Sequence, residues 1–289
     1  KANGILGFDI KTICFTGPED VLTATLYSQP AIFVTSMAVL NVLIEKIKGS
    51  PVGGEGMEFF APEEIRLAGE LAMGLSLGEV TALAASGGVS FADGVKLVQK
   101  RAEFMEQAAK KEEGKMASVM GLSLEKVEEL CKGLGCQVAN LNCPDQVVIS
   151  GPASVIDLAA DLAANMGAKK TIVLKVSGAF HSRLMLPAKE NFKKVLKDIA
   201  IKEPAIDFIS NIDAENTKDA EKIRENLANQ LDNRTLWEAS VRKVIGCGIT
   251  DFLEIGPGSV LKGLARRIDK SISVTCLGTL SEINSFLAS

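Results

Sequence analysis

A serine flanked by glycines is the clearest chemical signal in this sequence. The motif Gly74-Leu75-Ser76-Leu77-Gly78 lies between a short apolar segment and an alanine-rich segment with helical spacing. A nucleophilic serine on a tight strand-to-helix turn needs small neighbours, because the backbone is crowded there. The turn presents the hydroxyl at a helix amino terminus, where the Leu77 N–H can stabilise an oxyanion. A glycine-rich turn that simply begins a helix has the same pattern, so both interpretations stay open.

The chain contains one histidine, so a base of the imidazole type has a single candidate. His181 lies in a loop between a predicted strand and a predicted helix that begins at Pro187. Loops at the edge of a sheet commonly carry catalytic groups, and a serine nucleophile needs a base. A structural or exposed histidine is the alternative. The long chain after His181 differs from an ordinary α/β-hydrolase, whose histidine lies near the carboxyl end.

Length and composition restrict the classes of protein to which the chain can belong. Its 289 residues allow one large domain or two of ordinary size. With 32 basic and 36 acidic side chains, the net charge of −4 predicts no nucleic-acid partner. A hydrophobic fraction of 47% is typical of a globular protein with a full core and excludes intrinsic disorder. We expect charged or glycine residues to interrupt every apolar run before the ~20 residues that a membrane helix needs.

The cysteines indicate a reducing compartment. They are too few for a disulfide scaffold in a chain of this length, and their spacing is not that of a paired C-x-x-C zinc site. We therefore predict reduced thiols and no metal site. The six residues are Cys14, Cys131, Cys136, Cys143, Cys247 and Cys276.

The order of predicted elements indicates an α/β protein with an insertion. Strands that alternate with helices predict a mostly parallel sheet in a hydrolase-like body, residues 1–113 and 178–289. Residues 114–177 have the order β-α-β-β-α-β, which predicts a ferredoxin-like subdomain. Its strands are predicted at 116–120, 138–141, 147–149 and 171–176, and its helices at 124–134 and 152–166.

Two further segments have clear local patterns. Apolar residues at helical spacing predict a helix over residues 29–48, with Pro30 in its first turn. The following residues 49–62 are rich in glycine and proline, which predicts a loop.

Three motifs together resemble the family of malonyl-CoA:acyl carrier protein transacylases. They are Gly74-Leu-Ser-Leu-Gly-Glu79, Gly178-Ala-Phe-His-Ser182 and Glu254-Ile-Gly-Pro-Gly-Ser-Val260. The motifs have the family's order and spacing, and the resemblance runs over nearly the whole chain. Leu75, where many members carry a polar residue, resembles the plastid-type version.

The resemblance implies a role for each candidate site residue. Ser76 would be the nucleophile that carries malonyl as an ester, and His181 the base. Arg101 would hold the malonyl carboxylate, which a planar guanidinium can bind through two hydrogen bonds. The backbone carbonyl of Gln230 would orient the histidine in place of an acid. Phe180 would favour malonyl over α-branched acyl groups.

The implied activity is transfer of malonyl from malonyl-CoA to the phosphopantetheine thiol of acyl carrier protein in fatty acid biosynthesis. Transfer through an acyl-serine predicts ping-pong kinetics. We expect a monomer without cofactor, metal or membrane, in the plastid stroma or the cytoplasm. An acidic carrier would dock on a basic face near His181, formed by Arg183, Lys189, Lys193, Lys194 and Lys197.

The sequence departs from the family pattern in two places. The family begins with a strand and a Gly-Gln-Gly-Ser-Gln loop whose glutamine N–H completes the oxyanion hole, and no such motif occurs here. We therefore expect an amino-terminally truncated form, and one oxyanion donor is worth about 10²–10³ in rate. Val80 also replaces the usual tyrosine. The alternatives are a carrier-binding protein without turnover, a thioesterase-like hydrolase, and one acyltransferase domain of a larger synthase.

Overall fold

The computed structural model describes residues 1–50 and 61–289. Residues 51–60 of the predicted loop lie outside this part. The helices are α1 (Ala2–Leu6), α2 (Ile10–Thr16), α3 (Glu19–Thr23), α4 (Thr25–Ile47), α5 (Pro62–Ala68), α6 (Leu77–Ala85), α7 (Phe91–Lys111), α8 (Leu124–Leu134), α9 (Ala153–Asn165), α10 (Leu186–Lys197), α11 (Ala220–Asn229), α12 (Trp237–Gly246), α13 (Val260–Ile268) and α14 (Leu280–Leu287). The strands are β1 (Leu71–Ala72), β2 (Gly114–Met120), β3 (Gln137–Cys143), β4 (Gln146–Pro152), β5 (Lys170–Val173), β6 (Asp207–Phe208), β7 (Asp251–Ile255) and β8 (Ser273–Leu277).

The central part of the chain forms a four-stranded antiparallel sheet. Its strand order is β3-β4-β2-β5, and every neighbouring pair is antiparallel. Together with helices α8 and α9, this is the order and pairing of a ferredoxin-like fold. Side chains such as Ile149 and Ile156 form its core. The predicted fold class is therefore confirmed, while the division of the chain into domains stays a prediction.

The body of the protein contains parallel strand pairs. β1 pairs with β6 and β7 pairs with β8, and both pairs are parallel. A mainly apolar cavity of about 630 Å³ lies between the two pairs. Four residues of the serine motif line this cavity but Ser76 does not, so the cavity lies behind the turn; the four are Gly74, Leu75, Leu77 and Gly78.

The long helix α4 corrects two expectations. It begins at Thr25, so Pro30 lies inside it rather than in its first turn. Its first residue, Thr25, contacts the segment before His181: the Thr25 and Ser177 hydroxyl oxygens lie 2.9 Å apart. By length and composition, α4 is also apolar enough to cross a membrane, so the expected interruption of every apolar run is wrong. It packs against α6 and α7, and 56% of its most apolar window is buried.

Candidate active site

Ser76 lies on a strained turn between β1 and α6. Its φ of 54° and ψ of −107° place it in a region that L-residues rarely adopt. Such a conformation costs about 1–3 kcal/mol and persists only where surrounding contacts hold it. His181 has the same property, with a φ of 58°. Strain at two residues predicted to react together is typical of a functional site.

The two glycines of the serine motif have different structural roles. A Cβ on Gly74 would lie 2.0 Å from the Gly78 carbonyl oxygen, so only glycine fits there. A Cβ on Gly78 would meet nothing within 4 Å among the described residues. The crowding predicted from both glycines therefore applies to Gly74 alone.

Ser76, His181 and Gln230 form a line of hydrogen bonds. Ser76 Oγ lies 2.8 Å from His181 Nε2, and His181 Nδ1 lies 2.8 Å from the Gln230 backbone carbonyl oxygen. A carbonyl oxygen can only accept, so Nδ1 carries the proton and donates it. Nε2 is then free to accept the Ser76 proton. The predicted Ser76–His181 contact and the predicted contact from His181 to the Gln230 carbonyl are both present in the structure.

Arg101 reaches the nucleophile from the buried face of α7. It is 2% exposed, so it is not a solvated charge on the helix surface. Nη2 donates to Ser76 Oγ at 3.0 Å and to Gln230 Oε1 at 2.8 Å, while Nη1 donates to Gln29 Oε1 at 2.7 Å. Its Nε has no hydrogen-bond partner among the described residues. No carboxylate of residues 1–50 or 61–289 lies within salt-bridge distance of this guanidinium.

Burial shifts the pKa values of three groups around Ser76. Burial, with a smaller effect of the Arg101 charge, lowers the pKa of His181 from 6.5 to about 4. Burial lowers the pKa of Arg101 to about 10, so it stays charged at neutral pH. Burial also raises the pKa of Glu79 to about 7, against the opposing effect of hydrogen bonds from Asn211 and other neighbours. The imidazole is therefore neutral at pH 7, which is the form a base needs.

Leu77 and Phe180 lie beside the reacting groups. Leu77 is the first residue of α6, where the backbone N–H has no partner within the helix. That N–H is available to an oxyanion, as the sequence predicts. Phe180 is partly buried next to His181 and packs against the apolar core.

Gln29, Glu79 and Asn211 belong to the site but carry no predicted role. Gln29 accepts from Arg101, and Asn211 and Gln230 donate to the buried Glu79 carboxylate. Glu79 ends the motif that begins at Gly74, and this position could have marked it. Gln29 and Asn211 are single polar residues far away in sequence, and no local pattern indicates them.

The basic face near His181 is smaller than the sequence predicts. Lys189 is mostly buried and pairs with Asp232, with a nitrogen–oxygen distance of 3.0 Å. Arg183 stays exposed, and its guanidinium keeps its charge while it donates to the Gly135 carbonyl oxygen. The other exposed cations, on α10, are Lys193, which pairs with Glu190, and Lys194 and Lys197.

The arrangement can perform acyl transfer with protein groups alone. A neutral imidazole accepts the serine proton, a helix N–H faces the turn, and a buried guanidinium offers an unpaired donor to an anionic group. Within residues 1–50 and 61–289, no group of three or more His, Cys, Asp or Glu side chains could hold a metal ion.

Comparison with known proteins gives one family over almost the whole chain. The acyl transferase domain family matches residues 3–281. The malonyl CoA-acyl carrier protein transacylase of Bacillus subtilis (strain 168) is 40% identical over 277 residues, covering 94% of this chain and 81% of that protein. The protein of the same name from Staphylococcus aureus (strain MRSA252) is 34% identical over 288 residues, covering 98% and 87%.

Solved structures of malonyl transacylases superpose on nearly the whole chain. The malonyl CoA-acyl carrier protein transacylase of Coxiella burnetii superposes with a TM-score of 0.89 at 31% identity, covering 99% of this chain and 86% of that one. A malonyl-transacylase in complex with its type II PKS acyl-carrier protein superposes with a TM-score of 0.89 at 32% identity, covering 99% and 88%.

The different roles of the two motif glycines predict different effects of alanine. Gly74→Ala should distort the turn and slow phosphonylation of Ser76 by a fluorophosphonate probe about 10²-fold, because a small displacement of a nucleophile is costly. Gly78→Ala should react at the wild-type rate and gain about 0.5–1 kcal/mol of unfolding free energy in urea, because alanine favours the helix. Equal loss of labelling in both variants would contradict this assignment.

The lowered pKa of His181 predicts an acidic limit to Ser76 reactivity. The neutral imidazole is the base, so labelling is retained above its pKa and lost below it. The rate of labelling of the free protein should be half-maximal near pH 4, rather than near the 6.5 of ordinary histidine. Circular dichroism at each pH controls for acid unfolding. A midpoint near 6.5 would show that burial does not tune this base.

Proposed function

The chain belongs to the acyl transferase domain family, and we propose that it is the malonyltransferase that loads acyl carrier protein from malonyl-CoA. The observation that carries the acyl specificity is the buried Arg101 guanidinium. It lies beside the nucleophile, its Nε has no hydrogen-bond partner among the described residues, and the buried Glu79 acts on it only from beyond salt-bridge distance. A buried charge that no carboxylate contacts directly is costly, so a carboxylate-bearing substrate is the ligand that this site favours. Malonyl has a carboxylate two bonds from its thioester carbonyl carbon.

The first half-reaction moves malonyl to Ser76. His181 Nε2 takes the hydroxyl proton as Ser76 Oγ attacks the thioester carbonyl carbon. The Leu77 N–H stabilises the oxyanion that forms. The carbon–sulfur bond then breaks, and the departing coenzyme A thiolate receives the proton from His181. The products are a malonyl-serine ester and free coenzyme A.

The second half-reaction reverses the roles of thiol and serine. His181 takes the proton of the carrier's phosphopantetheine thiol, and the thiolate attacks the ester carbonyl carbon. The ester bond breaks, and Ser76 Oγ recovers the proton from His181. The reactive thiol arrives on the partner, so the proposed chemistry needs no cofactor or metal of this chain.

The malonyl carboxylate also strengthens the base. The charge of Arg101 is one of the two causes that lower the pKa of His181. A carboxylate bound to the guanidinium offsets this charge, so the pKa of His181 rises when malonyl is in place. The correct substrate thus improves the proton acceptor, and an acetyl group does not.

Two rival functions use the same residues. A hydrolase would release malonate to water, but it gains nothing from the basic side of α10. A carrier-binding protein without turnover has no need of a strained serine bonded to a neutral histidine. Whether the chain acts alone or as one domain of a larger synthase does not change the proposed chemistry.

We extend the proposal to the oligomeric state and the cellular location of the protein. Ser76, His181, Arg101 and Gln230 come from one chain, which supports a monomer. The buried part of α4 supports a core helix rather than a membrane span. Free cysteines support a reducing compartment, either cytoplasm or plastid stroma. The relatives reported above are bacterial, so the plastid part of this proposal rests on Leu75 alone.

Intact-protein mass tests the proposed acyl group and nucleophile together. Mixing the wild-type chain with malonyl-CoA should add one malonyl group, and Ser76→Ala should add none. Arg101→Ala should slow malonylation about 10²-fold or more while acylation by acetyl-CoA falls much less, because only malonyl loses a charged contact. A wild-type chain without adduct, or an Arg101→Ala effect equal for both acyl groups, would contradict the proposal.

The exposed cations of α10 predict how the carrier docks. Reversing the charge at both Lys193 and Lys194 should lower the rate constant of transfer to an acidic carrier about tenfold at low salt and spare self-malonylation. The matched control reverses Lys110 and Lys111, which are also exposed and adjacent, and lie about 15 Å along α7 from Arg101. Equal loss of both half-reactions in the first variant, or equal loss of transfer in the control, would overturn this docking site.

A further inference from the structure

Asn211 lies against the serine turn because two paired strands end at the same edge. β1 and β6 are parallel, with Ala72 opposite Phe208. Ser76 follows the end of β1 by four residues, and Asn211 follows the end of β6 by three. The carboxyl ends of parallel strands meet at one edge, so the register delivers the Asn211 side chain to the turn.

The Asn211 amide bonds to both sides of the turn. Its Oδ1 accepts the Ser76 backbone N–H at 2.7 Å, and its Nδ2 donates to the Gly74 carbonyl oxygen at 2.7 Å. One planar group thus spans the backbone just before the nucleophile. An amide has one acceptor and one donor side, which fixes the orientation of this side chain through its partners.

The backbone N–H and carbonyl oxygen of Asn211 also have hydrogen-bond partners. Its backbone N–H donates to Glu79 Oε1 at 3.1 Å, and its carbonyl oxygen accepts from the Leu236 N–H at 2.8 Å. The residue is 1% exposed. Gln230 Nε2 donates to the Ser76 carbonyl oxygen at 2.8 Å, so both backbone polar groups of Ser76 have fixed partners.

We propose that Asn211 is a positioning residue that holds Ser76 in its strained, reactive backbone conformation. It touches no reacting atom: its amide bonds to the turn, and its Oδ1 also accepts a longer hydrogen bond of 3.4 Å from Gln230 Nε2. By occupying the Ser76 N–H, it also leaves the Leu77 N–H as the oxyanion donor of this turn. The inference rests on the proposed function only in taking Ser76 as the nucleophile, because it requires no particular acyl group.

Single-turnover acylation of Asn211→Ala and the near-isosteric Asn211→Leu tests this role. The maximal rate of Ser76 malonylation should fall about 10²-fold, because the nucleophile is displaced. The half-saturating concentration of malonyl-CoA should stay at the wild-type value, because Arg101 and Gln29 keep their contacts. A merely structural defect would not separate these two quantities.

Asn226→Ala and Asn226→Leu are the matched controls. Asn226 is 3% exposed, and its amide donates to Asp213 Oδ2 at 3.2 Å rather than to the serine turn. These variants should lose stability on thermal unfolding but keep the wild-type maximal rate. Asn211 variants that react as fast as the Asn226 variants would overturn the proposal, and so would a rise in half-saturating concentration at an unchanged maximal rate. If Asn211→Ala does not fold, Asn211→Leu, which keeps the volume, decides by the same criterion.

Fluorophosphonate labelling separates this inference from the proposed function. In that reaction Ser76 Oγ attacks phosphorus and displaces fluoride, so malonyl-CoA is not involved. If the wild-type chain reacts with the probe but not with malonyl-CoA, the proposed acyl group is wrong. Slow labelling of the Asn211 variants alone would still support the positioning role, and unchanged labelling would refute it.

Discussion

The positive φ of Ser76 is the constraint on which the rest of the site depends. A serine backbone does not hold φ 54° unaided, so its neighbours must make other conformations worse. Gly74 permits the close approach of the Gly78 carbonyl, and side-chain amides fix the N–H and the carbonyl of Ser76. The two amides that bond to Ser76 lie 135 and 154 residues further along the chain. The folded body therefore sets the direction of the hydroxyl, and the local sequence alone does not.

Gln230 connects this backbone constraint to the electrostatics of the site. Its carbonyl orients His181, its Oε1 accepts from Arg101, and its Nε2 reaches both Ser76 and the Glu79 carboxylate. The neutral backbone carbonyl of Gln230 thus occupies the place where many serine enzymes have an acid. A carboxylate there would offset the Arg101 charge and so compete with an anionic substrate. The uncharged backbone carbonyl orients the histidine, while the side-chain oxygen of the same residue holds the guanidinium beside Ser76.

The sequence was sufficient for elements with a strong local pattern. The ferredoxin-like order follows from alternating strands and capped helices, and the structure has it. The serine, histidine, arginine and glutamine came from motifs of a known family, and the structure brings them together. Gln29 and Asn211 are not predicted from the sequence, because their roles depend on tertiary structure. Gln29 meets Arg101 where α4 crosses α7, and the register of β1 with β6 brings Asn211 to the serine turn. The sequence predicts that α4 begins at residue 29, but it begins at Thr25, because tertiary packing tolerates Pro30 inside a buried helix.

The central claim is a covalent malonyl-enzyme formed without the carrier, and isotope exchange tests it most directly. Malonyl-CoA and isotopically labelled free coenzyme A are mixed with the chain in the absence of any acyl carrier protein. Label should enter malonyl-CoA, because coenzyme A can attack the malonyl-serine and reverse the first half-reaction. Transfer to the carrier without any such exchange would mean direct transfer between two bound substrates and would contradict the account.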